Sequence, residues 1–154
     1  MTEAPLQERL LARFPNAAQR PGDSILHVVL AAESVREHLR FLRDALQFDQ
    51  LTFLTAIDRP AESRLEVVYR LFSYAAKAAI MVRVMLPRDG ARLDTVSDLY
   101  RTAEWHERET AEMFGIEFTN HPDPRKLLLP DDLEGHPLRK DFTHPNLIRL
   151  PEVP

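Results

Sequence analysis

Two segments in the first third of the chain carry apolar residues at helical spacing. Leu6, Leu10 and Phe14 form the first series, and a proline follows directly, so the pattern predicts a short amphipathic helix that ends there. The second series runs over residues 35–46, with charged side chains on the opposite side and Ser34 placed to cap the first turn. We therefore predict two helices, of which the second is the more regular.

Four stretches rich in Val, Ile, Phe, Tyr or Thr have the composition of β-strands, and they cover residues 25–30, 50–57, 65–74 and 78–86. The last three are joined by short separators, which favours hairpin connections and an antiparallel meander. This order of elements predicts an α+β fold, in which a largely antiparallel sheet of about four strands packs against helices.

A third helical segment is predicted from about Ser97 to Phe114, as one helix or in two pieces, and Gly115 then stands where a helix commonly ends in a left-handed residue. With about 100° between successive residues, Glu107 and Glu109 fall inside the two apolar stripes of this helix. Burial of an unpaired carboxylate is costly, so we expect each glutamate to have a fixed arginine or lysine partner.

Prolines divide the chain into two parts. Residues 1–118 hold five of the twelve prolines and form the predicted body, whereas residues 119–154 hold seven and form an extended C-terminal arm. The arm is too rich in leucine for a disordered linker, so it is expected to lie across a surface, either of its own body or of another protein. Residues 135–142 have the makings of an anchor, since they combine a turn, two apolar side chains and an arginine that can meet carboxylates.

Composition excludes several classes of protein. The chain has 154 residues, a net charge of −4 and no cysteine, so it has no Cys-ligated iron–sulfur cluster, disulfide or cysteine nucleophile. The acidic balance argues against a nucleic-acid partner. The first residues lack the order of a secretory signal, and no apolar run has the roughly 20 residues that cross a bilayer. We expect a cytoplasmic chain that meets a membrane only indirectly.

A metal site is the alternative to a structural role for the third helix. His106, Glu109 and Glu112 have helical spacing that offers one imidazole and two carboxylates to a metal, with His121 or His136 as a further ligand. However, no HExxH motif is present, and a di-iron site needs glutamates on several helices. The histidines of the arm each adjoin a proline, and a structural role is favoured for them.

Four segments carry a resemblance to a known family: residues 105–116, WHERETAEMFGI; residues 121–122, HP; residues 127–132, LLLPDD; and residues 134–142, EGHPLRKDF. They resemble the signature of the 30 kDa subunit of the proton-pumping NADH:quinone oxidoreductase, respiratory complex I. Residues 51–58 and 67–73 also resemble strand segments of that family, so the likeness spans most of the body.

The resemblance implies a non-catalytic assembly subunit of the peripheral arm, on the cytoplasmic side of the membrane. It binds no cofactor or metal itself, since FMN and the iron–sulfur clusters belong to other subunits, and its implied neighbour is the large hydrogenase-like subunit. The same subunit in a membrane-bound hydrogenase or ferredoxin-linked complex is an alternative, and a small free-standing metalloenzyme is another. Structural or interface roles are implied for Trp105, Glu107, Arg108, Glu109, Met113, Phe114, Gly115, His121, Pro122, Gly135, His136, Pro137, Leu138, Arg139, Lys140, Asp141 and Phe142.

Overall fold

A computed structural model of the chain describes residues 5–148. Within this range the helices are α1 (Leu6–Arg13), α2 (Val35–Leu46) and α3 (Ala103–Phe114). The strands are β1 (Ala18–Gln19), β2 (Leu26–Leu30), β3 (Gln50–Arg59), β4 (Arg64–Ser73), β5 (Ala78–Pro87), β6 (Arg92–Asp94) and β7 (Glu117–Thr119). Single turns of 3₁₀ helix, Ala32–Ser34 and Pro60–Glu62, precede α2 and β4.

The main sheet has five strands in the order β1-β2-β5-β4-β3. Strands β3, β4 and β5 form the predicted antiparallel meander. The α+β class is therefore confirmed, but the sheet has one strand more than the four expected and is mixed, since β2 pairs with β5 in parallel. The additional strand, β1, has only two residues, which are too few to show an alternating pattern. A separate parallel pair joins β6 to β7.

The hydrophobic core lies between one face of the sheet and the helices. On this face the register sets Val67 opposite Val84 and Tyr69 opposite Val82, and all four side chains are completely buried. The apolar stripe of helix α2, which includes the fully buried Leu39, belongs to the same core cluster. The alternation of strand side chains thus places one set of residues in the core and the other set on the opposite face of the sheet.

Two helix boundaries differ from the sequence-based expectation in an informative way. Ser34 precedes α2, but its hydroxyl donates to the Ala31 carbonyl (3.1 Å) and caps no amide. Helix α3 begins at Ala103 and not at Ser97. The preceding residues form a separate turn, whose Tyr100 hydroxyl is buried and donates to the Phe48 carbonyl at 2.9 Å. This tertiary contact outweighs the local helical pattern.

Candidate interaction site

Glu107 of α3 is completely buried and joins three segments of the chain. Its Oε1 accepts the Val96 amide at 2.7 Å, and its Oε2 accepts the Thr95 hydroxyl at 2.5 Å. His121 Nε2, at the start of the arm, lies 3.6 Å from Oε2. The expectation of an arginine or lysine partner was wrong for this residue, because a hydroxyl and a backbone amide supply the donors instead.

Burial governs the protonation of Glu107. Desolvation raises its pKa from 4.5 to about 7, although the bonds from Thr95 and Val96 favour the charged form. The neighbouring His121 accepts the Asp123 amide on Nδ1 (3.0 Å), so its proton lies on Nε2, which donates to the Glu104 carbonyl at 3.0 Å. The start of the arm is therefore bound to α3 through Nε2 of His121, while Nδ1 fixes the turn of the arm at Asp123.

The carboxylate of Glu112 in α3 binds the backbone of the leucine run of the arm, residues 127–129. The carboxylate accepts the amides of Leu127 (3.0 Å), Leu128 (2.8 Å) and Leu129 (3.3 Å), which have no strand or helix partner of their own. Glu109, in contrast, is exposed and has no ion pair among residues 5–148, so the expectation of a fixed cation there was wrong. The periodicity of α3 favoured the wrong glutamate because the arm, and not the core, covers Glu112.

Arg108 fixes the segment just before the leucine run. Its Nε donates to the Arg125 carbonyl at 2.9 Å, and its Nη2 donates to the Lys126 carbonyl at 3.0 Å. The guanidinium also lies over the ring of Trp105, 5.4 Å from its centroid, and forms an ion pair with Asp123 (3.3 Å). Trp105 itself is 57% exposed. The charged motif of α3 thus positions the arm while its tryptophan faces outward.

The loop of residues 135–142 caps the C-terminal end of α3. The last carbonyls of a helix have no partner within it, and here the arm supplies the donors. His136 Nδ1 donates to the backbone carbonyl of Glu112 at 2.9 Å, and the Leu138 amide donates to that of Met113 at 3.1 Å. Arg139 Nε donates to the carbonyl of Phe114 at 2.7 Å. A guanidinium at this end also complements the helix dipole. The expectation that Arg139 meets carboxylates was wrong, because it binds carbonyl oxygens.

Gly115 ends α3 in the left-handed conformation, with φ of 72°, as predicted. A Cβ atom at this position would lie 2.5 Å from the His136 ring. The two sequence motifs of the resemblance, MFGI and EGHPLRKDF, are therefore in direct contact. In the second motif the half-buried Phe142 ring packs on Gly135, which also has a positive φ of 87°. Pro137 is half-buried, and Pro122 is exposed.

An ion-pair network joins the end of the loop to the sheet. Arg88 binds Asp58 through Nε (2.8 Å) and Nη2 (2.9 Å), and it also binds Asp141 at 2.6 Å. The Lys140 amide donates to Asp58 Oδ2 at 2.8 Å, whereas the Lys140 side chain is exposed. The guanidinium holds the pKa of Asp58 at about 2. Asp58 and Arg88 were missed as site residues, since their partners lie far away in the sequence.

The docked arm leaves apolar side chains in solvent. Leu128 is 61% exposed, Leu138 54% and Ile148 86%. The backbone amides of Leu128 and Leu138 are bound by α3. The arm therefore wraps its own domain through polar contacts and also presents an apolar surface outward. Residues 149–154, which the arm was expected to include, lie outside the described residues.

The alternative metal site is not assembled. Among residues 5–148, no group of three or more His, Asp or Glu side chains is arranged to hold a metal ion. Both carboxylate oxygens of Glu112 accept backbone amides of the arm, and Glu109 is exposed to solvent. The two carboxylates considered as ligands therefore do not form a common site. In the same part of the chain no helix has the length and apolar character needed to cross a membrane.

An ordered domain that holds an apolar arm on its surface is typical of a subunit of a larger assembly. The family model described as the respiratory-chain NADH dehydrogenase 30 kDa subunit matches residues 28–146. The chain belongs to this family, as the resemblance predicted, and the match includes both motifs that meet at the end of α3.

Individual relatives share most of their length with the chain. A subunit of the F420H2 dehydrogenase of Methanosarcina mazei is 38% identical over 139 residues, which are 88% of either chain. The corresponding NADH-quinone oxidoreductase subunit of Geobacter sulfurreducens is 37% identical and covers 89% of this chain, with 85% of its own length matched. A chain in the solved structure of the membrane-bound sulfane sulfur reductase, an archaeal respiratory membrane complex, is 29% identical, with a TM-score of 0.74. It covers 90% of this chain, with 84% of its own length matched.

Proposed function

We propose that this chain is a structural subunit, without a catalytic step of its own, in the peripheral arm of a membrane-attached NADH:quinone oxidoreductase. In this assembly other subunits carry electrons from NADH through FMN and iron–sulfur clusters to quinone and couple the transfer to proton translocation. The chain lies on the cytoplasmic side of the membrane and contacts it only through the complex.

The observation that carries the proposal is the outward apolar surface of the docked arm. Leu128 and Leu138 are more than half exposed although their own backbone amides are bound by α3. Exposed leucines on a fixed backbone lose little conformational entropy on association, so they suit a stable interface. We propose that this surface, together with the exposed Trp105 of α3, binds the large hydrogenase-like subunit of the complex.

The names of the relatives support a shared, non-catalytic role. They belong to complexes described by different reactions, with F420H2, NADH and sulfane sulfur in their names, yet they match this chain over most of its length. A subunit retained across different electron donors and acceptors is better explained by assembly than by recognition of one substrate. The same observation makes an F420H2-linked complex the second candidate.

The test is to purify the tagged chain from detergent-solubilised membranes of its own cells. We expect a brown preparation that contains a hydrogenase-like large subunit and iron–sulfur proteins, and that oxidises NADH with quinone as acceptor. If the preparation oxidises reduced F420 or ferredoxin and not NADH, the proposed structural role of the chain stands, but the electron donor of the complex is a different one. Recovery of a colourless chain alone would overturn the proposal.

A further inference from the structure

One face of the main sheet has no helix across it in the part of the chain that the structure describes. This open face carries the side chains that alternate with the core positions, among them Ile57, Arg59, Arg64, Glu66, Arg83 and Met85. The core cluster draws on the opposite side chains of β3, β4 and β5 and on all three helices, and it includes none of these six. Antiparallel strands can leave one face to solvent, but this one is not uniformly polar.

The centre of the open face holds a buried ion pair. Glu66 and Arg83 are 2% and 7% exposed, and the guanidinium binds Glu66 Oε1 directly. The second guanidinium near this carboxylate, that of Arg59, lies 3.5 Å from Oε2. Ile57 and Met85 flank Glu66 on the neighbouring strands and are half-buried. The face therefore combines fixed charge with apolar surface, as docking surfaces do.

Two arginines stand opposite each other at one end of this face. Arg59 of β3 and Arg64 of β4 are register partners, and their side chains are 40% and 38% exposed. Like charges directly opposite on a strand pair are destabilising. Within the described residues, the Nε atoms of both arginines lack a hydrogen-bond acceptor. Each arginine has one carboxylate partner within the chain: Arg59 Nη2 donates to Glu66 Oε2 at 3.5 Å, and Arg64 Nη2 binds Glu62 at 2.5 Å. Glu66 is shared with Arg83, so the contact with Arg59 is the longer of the two that it makes.

We propose that the open face is a second docking surface and that a carboxylate from an acidic segment of another subunit of the same complex binds Arg59 and Arg64. The carboxylate would bind the exposed parts of both guanidinium groups and reduce the repulsion between them, and Ile57 and Met85 would add apolar contact. This inference rests on the proposed function, because it takes the partner from the same assembly.

Charge complementarity selects an acidic segment as the occupant. The chain as a whole has a net charge of −4, yet this end of the open face presents arginines to the solvent. A second copy related by two-fold symmetry would use the same patch on both partners and would bring like-charged guanidinium groups together. A partner carboxylate meets no such penalty.

The absence of cysteine allows a site-specific cross-linking test. The full chain carrying Ile57→Cys is labelled with benzophenone maleimide and added to membrane extracts of cells that lack the chain, and the photoproducts are identified by mass spectrometry. Leu128→Cys on the arm reports the interface of the proposed function, and Ala45→Cys on the exposed side of α2 is the background control.

We expect position 57 to cross-link to an acidic segment of another subunit. When Arg59→Gln is added to the chain labelled at position 57, the yield of this cross-link should fall by about tenfold at low concentrations of the chain. The reason is that a charge-assisted pair of hydrogen bonds is lost. The control Arg40→Gln removes the same charge from an exposed position of α2 and should leave the cross-linking yield unchanged.

The other outcomes overturn the inference. A cross-link from position 57 to a second copy of this chain, or an equal yield with Arg59→Gln, contradicts it. Cross-linking from position 128 without any from position 57 contradicts it and leaves the proposed function standing. No cross-link from either position contradicts both.

Discussion

The body and the arm of this chain are held by different interactions. The body buries apolar side chains such as Leu39 and Val82 completely out of water. The arm is held mainly by polar contacts to the body. Glu112 of α3 binds three amides of the arm, and Arg139 of the arm binds the carbonyls of Phe114 and Arg88. An ordered segment can therefore leave its leucine side chains exposed. Its backbone is fixed by charged residues of the body, so its apolar side chains remain available to a partner.

The largest effect is expected from a cavity in the body. Leu39→Ala removes a completely buried side chain of α2 and should lower the free energy of unfolding by about 2–5 kcal/mol. Because the arm is bound to the body, it should unfold in the same transition. Urea denaturation followed by far-UV circular dichroism measures the loss. An arm that stayed docked after the body unfolded would contradict this dependence of the arm on the body.

The next effect concerns the junction at Glu107. Its pKa of about 7 in the folded chain lies above the ordinary value of 4.5, so the folded state binds more protons between these two values. Stability should therefore fall as pH rises from 4.5 to 7, by on the order of 3 kcal/mol from this group. Glu107→Gln keeps the shape and should remove that slope. Denaturation at several pH values compares the unfolding free energy of the wild type with that of the variant. An equal dependence on pH in both proteins would contradict a raised pKa at Glu107.

A smaller and local effect is expected at Glu112. Glu112→Gln removes the negative charge that accepts the amides of Leu127, Leu128 and Leu129, and it should lower stability by about 1–3 kcal/mol. Hydrogen exchange at these amides should rise, while exchange in β4 and β5 stays slow. Glu109→Gln is the matched control on the same helix, since Glu109 is exposed. Equal exchange in both variants would show that Glu112 does not hold the arm.

The sequence predicted those parts of the fold that depend on local pattern. The long strands of the meander, helix α2 and the left-handed Gly115 are all recognisable from periodicity or residue type. The parallel partner of β2 was not predictable, because its register with β5 joins Leu26 to Ile80 across the whole meander. Periodicity reports which face of a strand is buried but does not report which strand lies beside it.

The candidate site was predicted by its motifs but not by its contacts. The motifs around Gly115 and His136 were identified, and they do meet in the structure. The binding partners expected for Glu109 and Arg139 were wrong, because helical spacing cannot show that an irregular arm covers one side of α3. One physical signal was present at Glu112. A proline-bounded leucine run has backbone amides that need acceptors, and an acidic residue on α3 is a ready one.

The double variant Leu128→Ser, Leu138→Ser tests whether the exposed leucines of the arm bind a partner. We predict an unfolding free energy for the isolated chain within about 0.5 kcal/mol of wild type, because both side chains are largely exposed. We also predict loss of the tagged chain from the membrane complex, whereas Leu11→Ser, which changes an exposed leucine of α1, should assemble normally. Normal assembly of the double variant, or unfolding of the isolated chain, would contradict the claim that the arm is folded by polar contacts and kept apolar for a partner.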